Sequence, residues 1–427
     1  PRGSLILETW LLDIPIAVWI GGGLALYMAW AIGANDVANA MGTSVGSGAL
    51  TIWRAIIVAG CLEFAGAFLA GGHVTDTVRK GMLDMDLVAL RPEFLLYGML
   101  AALASAGTLL LLATRYGLPV STTHSIVGAI VGFAIAGIGM DAVNWGKIGQ
   151  IAASWLVSPL LGGVIALLLM LSIRKLILNA ENPFAKAKTY GPIYVYLVGF
   201  IVSLVTMFKG LKHLNLEFSM GQSFVLAVVF GLIVAFIGKL MINRVQVDET
   251  ADRDFHYASV EKAFVPMMIF TACAMAFAHG SNDVANGIGP LAAVVAIVDS
   301  GGEVGQKAAL PIWILVLGGV GIVVGLATMG WKVMQTIGTK ITELTPTRGY
   351  CATLAAATTV VLASKTGLPV STTHIAVGAV MGVGLARGLG ALDLRVIGNI
   401  VVSWLVTLPA GGILAAIFFF IFKAIFS

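Results

Sequence analysis

Apolar residues fall in long runs along this chain, separated by short stretches of charge, glycine or proline. Runs near 14–32, 53–77, 94–114, 121–139 and 148–178 fill the first part, and two more come near 192–208 and 222–242. The pattern resumes near 263–278, 308–329, 349–364, 371–389 and 396–426. Crossing ~30 Å of hydrocarbon takes about 20 apolar residues in a helix. The runs therefore predict an all-α polytopic membrane protein of about 12 transmembrane helices. The one strongly hydrophilic stretch, 243–262, reads as a loop.

Composition agrees with that reading. Hydrophobic residues make up 59% of the chain and charged residues 11%, where a soluble domain carries about 25% charge. A net charge of +4 spread over short loops offers nothing to a nucleic acid. Cys61, Cys273 and Cys351 lie far apart in apolar sequence, without metal or disulfide spacing, and are expected to be buried small hydrophobes. Pro1-Arg2-Gly3-Ser4 looks like a tag scar (1–4) and is set aside. The first apolar run is expected to continue into a span, with no cleavable signal.

The chain repeats itself. Gly33-Ala34-Asn35-Asp36-Val37-Ala38-Asn39 matches Gly280-Ser281-Asn282-Asp283-Val284-Ala285-Asn286, and Gly117-Leu118-Pro119-Val120-Ser121-Thr122-Thr123-His124 recurs letter for letter at 367–374. Ser154-Trp155-Leu156-Val157 recurs as Ser403-Trp404-Leu405-Val406 in the same order. The expected division is a first repeat at 5–180, linking helices at 181–242, the loop at 243–262 and a second repeat at 263–427. An odd number of crossings before the second repeat makes the two inverted, with broken helices at the centre. Lys and Arg concentrate on one side (Arg174, Lys175, Lys186, Lys188, Lys239, Arg244, Arg253, Lys262). That side is expected in the cytoplasm, with both termini outside a plasma membrane.

Two motifs carry candidate chemistry. A carboxylate inside an apolar run costs on the order of 3 kcal/mol, so its appearance at matched positions calls for a compensating partner. Asn35, Asp36, Asn39 and Asn282, Asp283, Asn286 supply oxygen donors suited to a hard cation such as sodium. Gly33 and Gly280 are expected to let the backbone unwind there, and Asp36 and Asn39 share a face if the chain beyond Gly33 is helical. In the second motif Gly and Pro interrupt, and Ser121, Thr122, Thr123 then start a helix whose unpaired N–H groups suit an oxyanion. Ser371, Thr372 and Thr373 would present a second such terminus across the pseudo-two-fold. Glu63, within an apolar run, is a candidate ion ligand. Gln150 and Asn399, four residues before the matched Ser-Trp pairs, are candidate site-facing amides. His124 and His374 are expected to support the site by hydrogen bonding, Trp155 and Trp404 to pack, and Ser105 and Thr108 to bond back to their own helix. Neither motif contains Lys or Arg, so an anion would be held by neutral donors, helix termini and co-bound cations. No nucleophile–base–metal constellation of an enzyme appears.

With these residues the chain resembles the PiT family of inorganic phosphate transporters. The signatures are GANDVANAMGTSVGSGALT at 33–51 and GSNDVANGIGPLAA at 280–293, each succeeded by GLPVSTTH. The resemblance implies secondary active phosphate uptake through inverted repeats, with no cofactor beyond co-transported sodium. It places sodium at Asp36, Asp283 and their flanking asparagines, to which the residues themselves add Glu63 as a candidate. It places phosphate at the two Ser-Thr-Thr triplets, with Asp36 and Asp283 lining the site; the residues themselves add Gln150 and Asn399 as candidate phosphate contacts. It also implies a homodimer in the lipid bilayer. Family members differ in driving ion, and some carry sulfate, so a proton-coupled phosphate or sulfate symporter stays open. An anion channel is a further alternative, although it leaves the buried carboxylates unexplained.

Overall fold

The computed structural model describes residues 10–11, 14–72, 75, 78, 81–205, 219–246, 257–301, 310–339, 341–365 and 369–427. The expected tag scar 1–4, residues 247–256 of the hydrophilic loop, Gly367 and Leu368 lie outside them. Apart from a two-residue strand pair at Trp10–Leu11 and Ile14–Pro15, the regular structure among the described residues is helical.

The first half contributes α1 (Ile16–Gly46), α2 (Ile52–Ala70), the short α3 (Met85–Ala89), α4 (Pro92–Arg115), α5 (Thr122–Gly137) and α6 (Trp145–Ile173). Next come two helices that pack on each other, α7 (Pro183–Val205) and α8 (Met220–Asn243). The second half holds α9 (Ala258–Asp299), α10 (Ile312–Met329), α11 (Trp331–Thr339), α12 (Pro346–Lys365), α13 (Thr372–Leu385) and α14 (Leu394–Phe426). Nine helices among the described residues are long and apolar enough to cross a membrane. The runs near 121–139 and 371–389 give α5 and α13 of only 16 and 14 residues, about 24 and 21 Å long. Neither reaches across the bilayer.

They are instead the returning arms of two hairpins. Asn35, midway along α1, donates to Thr114 Oγ1 (3.0 Å) and the Leu118 carbonyl (3.1 Å), which puts the α4–α5 turn at the centre of the molecule. The far ends are tied together by Asp84 N donating to Ala142 O and Asn144 N to Met82 O, at 2.8 and 2.9 Å. In the second half Asp393 N donates to Ile341 O (3.1 Å) in the same way. Each hairpin closes through a glycine in the left-handed region, Gly139 at φ 136° and Gly388 at φ 110°. Side chains disfavour that backbone.

Packing crosses between the halves. α5 packs on α14 and α13 on α6, while α1 packs on α10 and α9 on α2. Consecutive stretches of sequence are therefore interleaved in space. Matched glycines allow the contacts: a Cβ on Gly128 of α5 would collide with the Leu408 carbonyl, and one on Gly378 of α13 with the Pro159 carbonyl. Gly378→Ala is expected to cost about 1–3 kcal/mol by overpacking. A lower thermal midpoint in detergent would show it, and an unchanged midpoint would mean the contact relaxes freely.

Several expectations need correction. Gly33 and Gly280 do not unwind the chain, since α1 and α9 run through both motifs as continuous helix. Their missing side chains instead let α1 meet the Ile322 carbonyl of α10, and α9 the Glu63 carbonyl of α2. The hydrophilic stretch is helical from Ala258, where Glu261 turns inward to accept from Thr347 N and Oγ1 at 2.8 and 2.6 Å. Ser105 donates to the Gly411 carbonyl of α14 (2.8 Å) rather than to its own helix, while Thr108 bonds back to Ala104. Only Cys351 of the three cysteines is buried, because Cys61 sits on the outward face of α2 and Cys273 is half-covered.

Candidate functional site

The hairpin tips and the middles of α1 and α9 meet at the centre. α5 begins where it does because Pro119 breaks the chain and the Ser121 hydroxyl accepts from His124 N at 3.2 Å, an N-cap. Ser371 caps α13 identically. The first-turn amides of Thr122, Thr123, Thr372 and Thr373 have no partner within their own helices, and both helix starts point into the same buried region.

The carboxylates face these termini. Asp36 and Asp283 are each 1% exposed. Thr122 Oγ1 donates a short hydrogen bond to Asp36 Oδ2, and Thr372 Oγ1 donates to Asp283 Oδ2 at 2.6 Å. Asn39 reaches across the halves to Thr373 Oγ1 (3.0 Å) and Thr372 Oγ1 (3.3 Å), and Asn286 reaches back to Thr123 Oγ1 (3.5 Å). Thr123 Oγ1 donates to Val370 O, and Thr373 Oγ1 to Val120 O, at 3.0 and 3.1 Å. Asn35 and Asn282 hold the tips, through Val120 N donating to Asn35 Oδ1 (3.3 Å) and Asn282 Nδ2 donating to Val370 O (3.2 Å). Apart from Asn39–Thr372, these threonine and asparagine bonds between the halves come in reciprocal pairs.

Behind the triplets, His124 Nδ1 donates to the Trp404 carbonyl (3.1 Å) and His374 Nδ1 lies 3.4 Å from the Trp155 carbonyl. A carbonyl only accepts, which fixes the Nδ1–H form of His124. The His124 ring sits 3.9 Å from Trp155 and 4.4 Å from His374, while His374 stacks on Trp404 at 3.6 Å. These rings clamp the two hairpin arms together at the pseudo-two-fold.

The structure thus gathers Asn35, Asp36, Asn39, Asn282, Asp283, Asn286 and both Ser-Thr-Thr triplets into one buried cluster. Glu63 joins it indirectly, 3.2 Å from His279, which in turn lies 2.9 Å from Asp283. Gln150 and Asn399 stand apart from this cluster, exposed on α6 and α14. His279 escaped the sequence reading. The available signal was a titratable residue in an apolar helix, one turn before Asp283, with no counterpart before Asp36. Ligand atoms of Asp36, His279 and Asp283 all lie within 4.8 Å of one another. Acidic oxygens and amides at that spacing offer hard donors to a cation, and the two helix starts beside them offer N–H and O–H groups to an anion.

The sequence matches the phosphate transporter family over residues 32–415. The chain belongs to that family. This phosphate transporter is 49% identical over 410 residues to a Haemophilus influenzae protein named as a phosphate permease, covering 96% of this chain and 97% of that one. It is 42% identical to "Inorganic phosphate transporter 2-1, chloroplastic" of Arabidopsis thaliana, with 99% and 78% covered. Among solved structures it resembles one titled "The sodium-dependent phosphate transporter", at TM-score 0.88 and 40% identity, covering 96% of this chain and 99% of that one. The transporter is a multi-pass membrane protein and not an enzyme.

Proposed function

We propose that the transporter imports inorganic phosphate across the plasma membrane in symport with sodium, by alternating access. One observation carries the coupling: the hydroxyls best placed for phosphate, Thr122 and Thr372, spend their protons on Asp36 and Asp283. A hydroxyl has a single proton to give. When sodium takes a carboxylate, the threonine is released to donate to phosphate, and the cation also screens the anion from the aspartate. Phosphate binding then requires the driving ion. Asn35, Asn39, Asn282 and Asn286 would complete the cation sites, and Ser121, Thr123, Ser371 and Thr373 the anion site. Gln150 and Asn399 remain candidates for phosphate on its path to the cluster.

The interleaved packing supports motion of the two hairpin units about the clamped His–Trp centre, against the α1–α2–α9–α10 core. The ends of α6 and α8 and the starts of α7 and α9 carry the Lys/Arg-rich segments, which supports placing that face in the cytoplasm and both termini outside. The repeat boundaries at 5–180 and 263–427 belong to this proposal. So does a homodimer, which rests on the family resemblance and is tested by the mass of the detergent-solubilised particle.

His279, set between Glu63 and Asp283, favours a second reading in which a proton replaces a sodium. Uptake of labelled phosphate and labelled sulfate into liposomes separates the cases, with sodium and proton gradients imposed in turn. Phosphate accumulation driven by sodium alone is expected. Proton-driven accumulation would support the second reading, and current without gradient-driven accumulation would support a channel.

A further inference from the structure

The pseudo-symmetry fails beside Asp283. Gly280 packs on the Glu63 carbonyl as Gly33 packs on the Ile322 carbonyl, and Gly66 meets the Phe277 carbonyl as Gly325 meets that of Trp30. Glu63 and Ile322 are therefore counterparts. Likewise His279 stands four residues before Asp283, where Ile32 stands four before Asp36. A buried Glu–His pair on one side thus replaces an Ile–Ile pair on the other, with Glu63 and His279 both wholly buried.

The two aspartates differ accordingly. Asp283 Oδ1 accepts from Asn282 Nδ2 at 2.7 Å, and its Oδ2 accepts from Thr372 with His279 Nε2 pressed to 2.9 Å. Asp36 shares only Oδ2, with Thr122, and its buried Oδ1 has no hydrogen-bond partner among the described residues. The buried Asn286 Oδ1 is unpartnered among them too; the Glu63 oxygens also lack hydrogen-bond donors, but one of them lies 3.2 Å from His279 as an ion pair. A buried carboxylate oxygen without a donor is costly, and a cation removes that cost. At Asp283 an incoming cation must first displace the imidazole.

We infer that the two cation sites are unequal, with sodium filling the Asp36 site first and the Asp283 site only once His279 has moved aside. His279 is a positioning residue, held against Asp283 by Glu63. Two symmetric sites would load in either order; the Glu63–His279 pair imposes one. The inference rests on sodium being the coupled ion.

Equilibrium binding of labelled sodium to the purified full chain in detergent tests it. Two phases are expected, separated by about tenfold or more in affinity. Asp36→Asn should remove the tight phase and Asp283→Asn the weak one. The doubly substituted Glu63→Ile, His279→Ile protein carries the other half's residues, and its two phases should merge to within about threefold. Two equal phases in the native protein, or loss of the weak phase in Asp36→Asn, would overturn the inference and leave sodium coupling intact. The single-aspartate variants decide the matter even if the doubly substituted protein does not fold. No sodium binding by the native protein would overturn the sodium reading, and this inference with it.

Discussion

Asp36→Asn and Asp283→Asn are each expected to abolish sodium-driven phosphate uptake while leaving the protein folded. The substitution keeps the shape of the side chain and an oxygen that can still accept from Thr122 or Thr372, so the helix contacts survive. What it removes is a negative charge at a site 1% exposed. Taking one partner from a buried charge pair costs about 3–5 kcal/mol, which lowers cation occupancy by roughly 100-fold or more. Labelled phosphate uptake into liposomes, beside thermal melts of the same preparations, makes the measurement. Normal transport by either variant would contradict paired cation sites.

Replacing Ser371, Thr372 and Thr373 together with Ala is expected to raise the half-saturating phosphate concentration by on the order of 100-fold. A hydrogen bond to a charged acceptor contributes about 1.5–3 kcal/mol, so losing even two of three hydroxyls accounts for that change. The capping bond that Ser371 Oγ accepts from His374 N also goes, so part of the loss is in the placement of α13. Thr372→Ser separates these effects, because it keeps the donor to Asp283 and should stay near native affinity. An unchanged half-saturation in the triple variant would remove the triplet from the site.

Much of the site was legible in the residues because the sequence states it twice. NDVAN and GLPVSTTH recur in matched order, and inversion of the repeats brings them to one centre. The helix start at Ser121 could be read from Pro119 and the hydroxyls, since capping is local chemistry. Continuity of α1 through Gly33 could not be read, because glycine serves both unwinding and close approach. Only the Ile322 carbonyl on the neighbouring helix decides between them. The shortness of α5 was hidden for a similar reason: its apolar run continues past Gly137, and the turn at Gly139 depends on backbone torsion rather than hydropathy. His279 was hidden because the repeats draw the eye to what the halves share, whereas this residue matters through what they do not.

In the proposed mechanism, phosphate binds only when sodium has drawn Asp36 and Asp283 away from Thr122 and Thr372. Equilibrium binding of labelled phosphate to the purified protein, with sodium present or replaced by choline, tests it most directly. Affinity weaker by about 100-fold or more is expected without sodium; equal affinity in the two conditions would rule the mechanism out.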